Sequence, residues 1–183
     1  MSDKMLIRNC SPTLAGMKTG NLFSCPFESA EHMRKSLRRF NQRLGGKGIR
    51  LLPVRYRDRR ALIYVYRPTH LARDLFDSAT RDILHARGYR CDDPTGCVVQ
   101  LIRRLRDCED FPHEIGLFLG YPPEDVHGFI ELGADACKFS GCWRVYGDET
   151  NARRLFAKYK KCTEVYSRRL DEGNTVEHLT VAG

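Results

Sequence analysis

Long apolar runs are scarce in this chain of 183 residues: the purest, Ala61 to Tyr66, is far too short to cross a bilayer. The opening stretch, Met1-Ser-Asp-Lys-Met-Leu-Ile-Arg8, lacks the apolar segment of a secretory signal. A cytoplasmic protein without membrane association is therefore expected. Short cysteine spacings are missing too. Eight cysteines stand at 10, 25, 91, 97, 108, 137, 142 and 162, and no two are separated by only two residues, the usual spacing of zinc ligands. In a reducing compartment such thiols are free by default. No repeat, low-complexity segment or interdomain linker interrupts the chain.

Acids are nearly absent from one stretch. From Arg34 to Arg60 there are eleven Lys or Arg and a single acid, Asp58. That stretch carries +10 against a total of +8, so everything else sums to −2. A field concentrated in this way attracts phosphate esters, nucleic acid or an acidic partner.

Periodicity supplies the elements. Ser11-Pro12 fits a helix start, with Ser as cap and Pro in the first position, followed by loop to about Pro26. Met33, Leu37, Phe40 and Leu44 recur at helical spacing over 29–44 and place Arg34, Lys35, Arg38, Arg39 and Arg43 on the opposite face. Residues 49–56 and 60–67 read as a β-hairpin turning at Arg-Asp-Arg. Helices are expected from Pro68 to Phe76, over 80–88, after Asp93-Pro94, after Pro122-Pro123 and after Asp148. Short strands are expected at 115–119 and 142–146. The sum is one α+β domain over 1–183, a small, mostly antiparallel sheet flanked by several helices, with 1–26 as an N-terminal loop region packed on it.

Four groups of residues carry candidate chemistry. A helix starting at Ser11, with Thr13, Lys18, Thr19 and Asn21 nearby, would hold an anion on its free amides. The Walker pattern is not met, because Gly16 lies only two residues before Lys18. His113 and Glu114 are candidates for acid–base work if they lie in a loop; in a strand they would face opposite ways. Cys137 and Cys142 are weak candidates for a metal or redox site. The basic patch comprises Arg34, Lys35, Arg38, Arg39, Arg43, Arg55, Arg57, Arg59 and Arg60.

The segment Phe111-Pro-His-Glu-Ile-Gly-Leu-Phe-Leu-Gly-Tyr-Pro-Pro-Glu-Asp-Val-His-Gly-Phe-Ile130, with Cys142-Trp-Arg-Val-Tyr-Gly-Asp148, resembles an uncharacterised family of small bacterial proteins. That family is a domain of unknown function found mainly in anaerobes. The resemblance extends over Cys10-Ser-Pro-Thr-Leu-Ala-Gly16, Asn21-Leu-Phe23, Tyr66-Arg-Pro68 and Ala152…Cys162. It implies a cytosolic bacterial protein and brings no catalytic residue with it.

Three functional expectations follow. The first is a pocket for a small anionic or phosphorylated ligand near Lys18 and His113, with enzymatic turnover left open. The second is a non-enzymatic nucleic-acid or ribonucleoprotein binder using the basic helix and hairpin. The third is a thiol-based metal or redox protein. The sequence names no cofactor and no oligomeric state.

Overall fold

A computed structural model describes residues 1–90, 93–107 and 110–183. The chain forms an α+β fold divided into two compact units, Met1–His70 with Tyr159–Gly183, and Leu71–Lys158.

The first unit begins with helix α1, Asp3–Leu14, capped by Ser2, whose side chain accepts from the Met5 amide. The expected helix start at Ser11 is therefore corrected: Ser11 and Pro12 lie in the last turn. Leu6, Ile7, Cys10 and Leu14 form an apolar stripe that is wholly buried, and its burial outweighs the backbone bond that Pro12 forfeits. Ser11 Oγ donates to the Ile7 carbonyl at 2.6 Å. The helix ends in a Schellman turn, with the Met17 amide on Pro12 O and the Gly16 amide on Thr13 O. Gly16 takes φ +72°, a conformation that favours glycine.

The expected loop to Pro26 is instead largely strand β1, Gly20–Pro26. Helix α2, Ala30–Leu44, is capped by Ser29 and buries Met33, Leu37, Phe40 and Leu44, the stripe read from the sequence. A single 3-10 turn over Gly45–Lys47 prolongs it, and the chain reverses at Gly48, φ +76°. Strands β2, Arg50–Arg57, and β3, Arg60–Tyr66, form the hairpin. Its tip, Asp58 and Arg59, has φ of 49° and 55°, the left-handed pair that matches strand twist.

The sheet order is β1-β3-β2, all antiparallel, which leaves β2 at an edge. Pro53, which has no amide to give, sits on that edge, and the register shifts between Pro53 and Arg55. Ala61, Ile63 and Val65 of β3 face the core formed with α1 and α2. Tyr64 and Tyr66 stack on the opposite face with their ring centroids 4.6 Å apart.

The long helix α8, Glu149–Asp171, has Asp148 as its cap, accepting from the Asn151 amide. Its residues from Tyr159 onward belong to the first unit. A last turn of helix, α9, Val176–Leu179, starts at Thr175. Here α1, α2 and α9 are tied by one side chain. Arg43 donates to both oxygens of Asp3 at 2.8 and 2.9 Å, and to both oxygens of Glu177.

Those hydrogen bonds hold the Glu177 carboxyl down to about 2. A depressed carboxyl contributes stability above its unfolded pKa and loses it as the pH falls toward the folded value. The loss should therefore run from about pH 4.5 to about pH 2. The pair is one-third exposed, so its contribution is on the order of 1 kcal/mol. Urea titrations across this range should show wild type and Glu177→Gln converging as the pH falls. Parallel curves would remove the pair as a source of acid sensitivity.

In the second unit, α3, Pro68–Phe76, begins in the first unit and crosses into this one. There follow α4, Ser78–Ala86, and α5, Pro94–Asp107, which buries Cys97, Val98, Leu101 and Leu105. The strand expected at 115–119 is corrected. Ile115–Phe118 is a turn of helix, α6, buried throughout, because a short, wholly apolar run has no period by which to choose between the two. Helix α7 follows at Pro123–Leu132. A small hairpin pairs β4, Phe139–Ser140, with β5, Arg144–Val145.

Candidate functional site

Asp125 organises the second unit. Its carboxylate is buried and accepts from Trp143 Nε1 at 2.7 Å and from the Tyr146 and Gly147 amides at 2.7 and 2.8 Å. Gly128, one turn further on, lets the Tyr146 ring close on α7; a Cβ there would sit 2.4 Å from the ring. Trp143 packs on Tyr121 at 4.8 Å and edge-on against Phe156 at 4.5 Å. The two most recognisable stretches of the sequence, 111–130 and 142–148, are therefore read by each other. They form a packing lock.

Just before that lock, His113 and Glu114 occupy a turn, the loop condition set for them above. Glu114 is buried and accepts from the Tyr89 hydroxyl at 3.0 Å, with Arg104 Nη1 at 3.6 Å. Arg104 also lies over the Tyr89 ring at 4.5 Å and donates to the Arg87 carbonyl. Burial, with the Glu114 charge beside it, pushes the Tyr89 hydroxyl far up. His113 is exposed and meets the Phe129 ring edge-on at 4.7 Å. Both residues border an open cavity of about 470 Å³ that also exposes Arg87, Asp110 and Phe111. Glu114 is already held by Tyr89 and Arg104, so its first role is to bind α5 to this turn. Neither Tyr89 nor Arg104 is marked as its partner by spacing, since they lie 25 and 10 residues from it.

The N-terminal candidates have a different geometry from the one expected. Ser11 and Thr13 stand at the C-terminal end of α1, where carbonyls and not amides are free, so the helix supplies no anion cradle there. Thr13 Oγ1 donates to Asn21 Oδ1 at 2.7 Å. Lys18 and Thr19 are buried, and the Lys18 charge faces the Cys10 thiol, which burial nonetheless pushes well up. The cation that the expectation missed is Arg67, 1% exposed. Its guanidinium donates to the carbonyls of Thr13 and Leu14 at 2.7 Å, Val181 at 2.7 Å and Lys47 at 3.3 Å. Lys18 lies in the first unit and His113 in the second.

Cys137 and Cys142 do not converge. Cys142 stands exposed at the tip of the β4–β5 hairpin, and Cys137 two residues before β4. At a rise of about 3.3 Å per residue, that separates them by roughly 10 Å. Cys137 has Arg144 Nη1 at 3.7 Å as its neighbour. Among the described residues no group of three His, Cys, Asp or Glu is placed to hold a metal ion. No disulfide joins any two of the six cysteines within them, while Cys91 and Cys108 lie outside the described residues.

The basic patch survives in reduced form. Arg43 leaves it, because both its carboxylate partners come from distant parts of the chain. Lys35 is held by Glu31 at 2.8 Å, Arg57 lies 3.4 Å from Asp58, and Arg60 donates to Ser24. Arg34, Arg38, Arg39 and Arg59 are exposed, and among the described residues no carboxylate pairs with them. Arg55 is half-buried on β2. Helix and hairpin are held together by Asn41, whose side-chain amide makes two 2.9 Å bonds with the backbone of Leu51. In the strand register Arg55 and Arg57 pair with Leu62 and Arg60, on the sheet face opposite the one that packs on α2, so the basic helix face and the β2 arginines are separate parts of the patch.

The family described as a protein of unknown function, DUF3793, matches residues 6–180. The chain belongs to that family. No curated protein and no solved structure matches it significantly. Membership of DUF3793 thus extends over both units, and the lock at Asp125, Arg67 and the basic patch lie inside the matched span, while the Val181 carbonyl that Arg67 meets lies just beyond it. Among the described residues no helix is long and apolar enough to cross a membrane.

Proposed function

We propose that this DUF3793 member binds nucleic acid through the α2 face and the β2–β3 hairpin of its first unit. One observation carries the reading: Arg34, Arg38 and Arg39 on α2 and Arg59 at the hairpin tip are exposed, and among the described residues no carboxylate pairs with them. Arginine suits this use, because its planar fork meets phosphate oxygens two at a time. The small-anion reading at Ser11 and Lys18 loses its support with the relocated helix start. The lack of a disulfide among the described cysteines accords with a reducing cytoplasm as the place of work.

The test is binding of a labelled oligonucleotide by fluorescence anisotropy. The triple variant Arg34→Ala/Arg38→Ala/Arg39→Ala should bind roughly a hundred-fold more weakly at about 100 mM salt, since each lost phosphate contact removes its released counterions. Its melting temperature should stay close to that of wild type, because the three side chains are exposed. A charge-matched control, Lys158→Ala/Lys160→Ala/Lys161→Ala on α8, should bind nearly as wild type does. Equal losses in the two triples would show that net charge alone is at work and overturn the assignment.

A further inference from the structure

We infer, resting on the nucleic-acid reading above, that the strand pair held by this surface is a duplex, gripped through its phosphates and not through its bases. Proteins that hold single strands pair a basic groove with aromatic rings on which unstacked bases lie. This surface has the charge without the rings. On α2 and the hairpin the aromatic residues are Phe40, Tyr56, Tyr64 and Tyr66, and the last two stack on each other on the sheet face opposite α2. Phe40 is 4% exposed and belongs to the core. Tyr56 packs edge-on against Phe27 at 5.1 Å, and its hydroxyl is buried. None of the large exposed apolar side chains lies between residues 18 and 75.

That absence bears equally on a membrane, which would need apolar anchors beside the charge. What remains is a set of exposed phosphate donors. Arg34 and Arg38 lie one helical turn apart, roughly 6 Å, as do Lys35 and Arg39, and Arg59 at the hairpin tip adds a further exposed cation. Arginine heads spaced in this way gain from the density of phosphates they meet. A duplex presents one charge per about 1.7 Å of axis against about 3.4 Å for one strand. Contacts to phosphates carry no sequence information, so a grip made through them is indifferent to sequence.

The experiment compares labelled duplexes of about 20 base pairs, one RNA and one DNA, with an unstructured single strand of the same length. The duplexes should bind at least ten-fold more tightly, and scrambling their sequence should change affinity less than two-fold. Between about 50 and 200 mM salt the duplex affinity should fall by roughly two to three orders of magnitude, as four or five phosphate contacts require. The single strand binding as tightly as the duplexes, or a scrambled duplex losing ten-fold, would overturn this inference and leave nucleic-acid binding standing. No binding to any of the three, with capture by phosphatidylserine vesicles or by polyglutamate instead, would overturn both.

Discussion

Asp125→Ala should destabilise the protein by about 4 kcal/mol, as three hydrogen bonds to a buried carboxylate are lost and their donors stay buried. The donors are one indole N–H and two backbone amides, and none can turn to water without opening the 143–147 turn. Asp125→Asn should recover only part of the loss. Oδ1 takes the two amides and Oδ2 takes the indole, so either orientation of the new amide sets an NH2 group against at least one N–H. Trp143 is the single tryptophan of the chain and is 8% exposed. Its emission therefore reports this site directly, and a red shift in Asp125→Ala should accompany a lowered urea midpoint. A loss below about 1 kcal/mol would mean that the aromatic packing around Trp143 holds the lock without the carboxylate.

Arg67→Met should be comparably damaging, at about 3–5 kcal/mol, for the converse reason: buried carbonyls are left without a donor. The guanidinium gathers three separate segments, the end of α1, the turn after α2 and the chain around Val181. Its burial opposes the charge and lowers its pKa from the ordinary value, yet an arginine keeps its proton. Two of the carbonyls are the terminal ones of α1, where the helix dipole is negative and welcomes a cation. Arg67→Lys should restore little, because one ammonium cannot span carbonyls that a planar fork reaches from several nitrogens. Hydrogen exchange separates local from global damage. The Val181 amide bonds to the Leu14 carbonyl, so it should lose protection first in both variants. Unchanged protection at Val181 would show that the segment is held by its own packing.

The amphipathic helix α2 and the hairpin were legible in the sequence because their patterns are long enough to have a period. Met33, Leu37, Phe40 and Leu44 fix one face by spacing alone. α1 was misread for a single residue: Pro12 signals a start, and that local signal hid the stripe Leu6, Ile7, Cys10 and Leu14 that governs the helix. Residues 115–118 were misread for want of any polar position to set a period. The charge of the patch was legible as composition, whereas its pairing was not. Asp3 and Glu177 lie 40 and 134 residues from Arg43, and only folding brings them to it. The same limit hid Tyr89 and Arg104 beside Glu114.

The edge strand β2 has a second consequence. An open strand edge offers unpaired amides and carbonyls on which another chain can build, the first step of β-aggregation. This edge is broken by Pro53, shifted in register just after it, and lined by Arg50, Arg55 and Arg57. Two such molecules approaching edge to edge meet like charge and a missing donor together. The arginines of β2 therefore keep the sheet solitary as well as making it basic. A counter-anion that neutralises them without covering the edge would remove that protection.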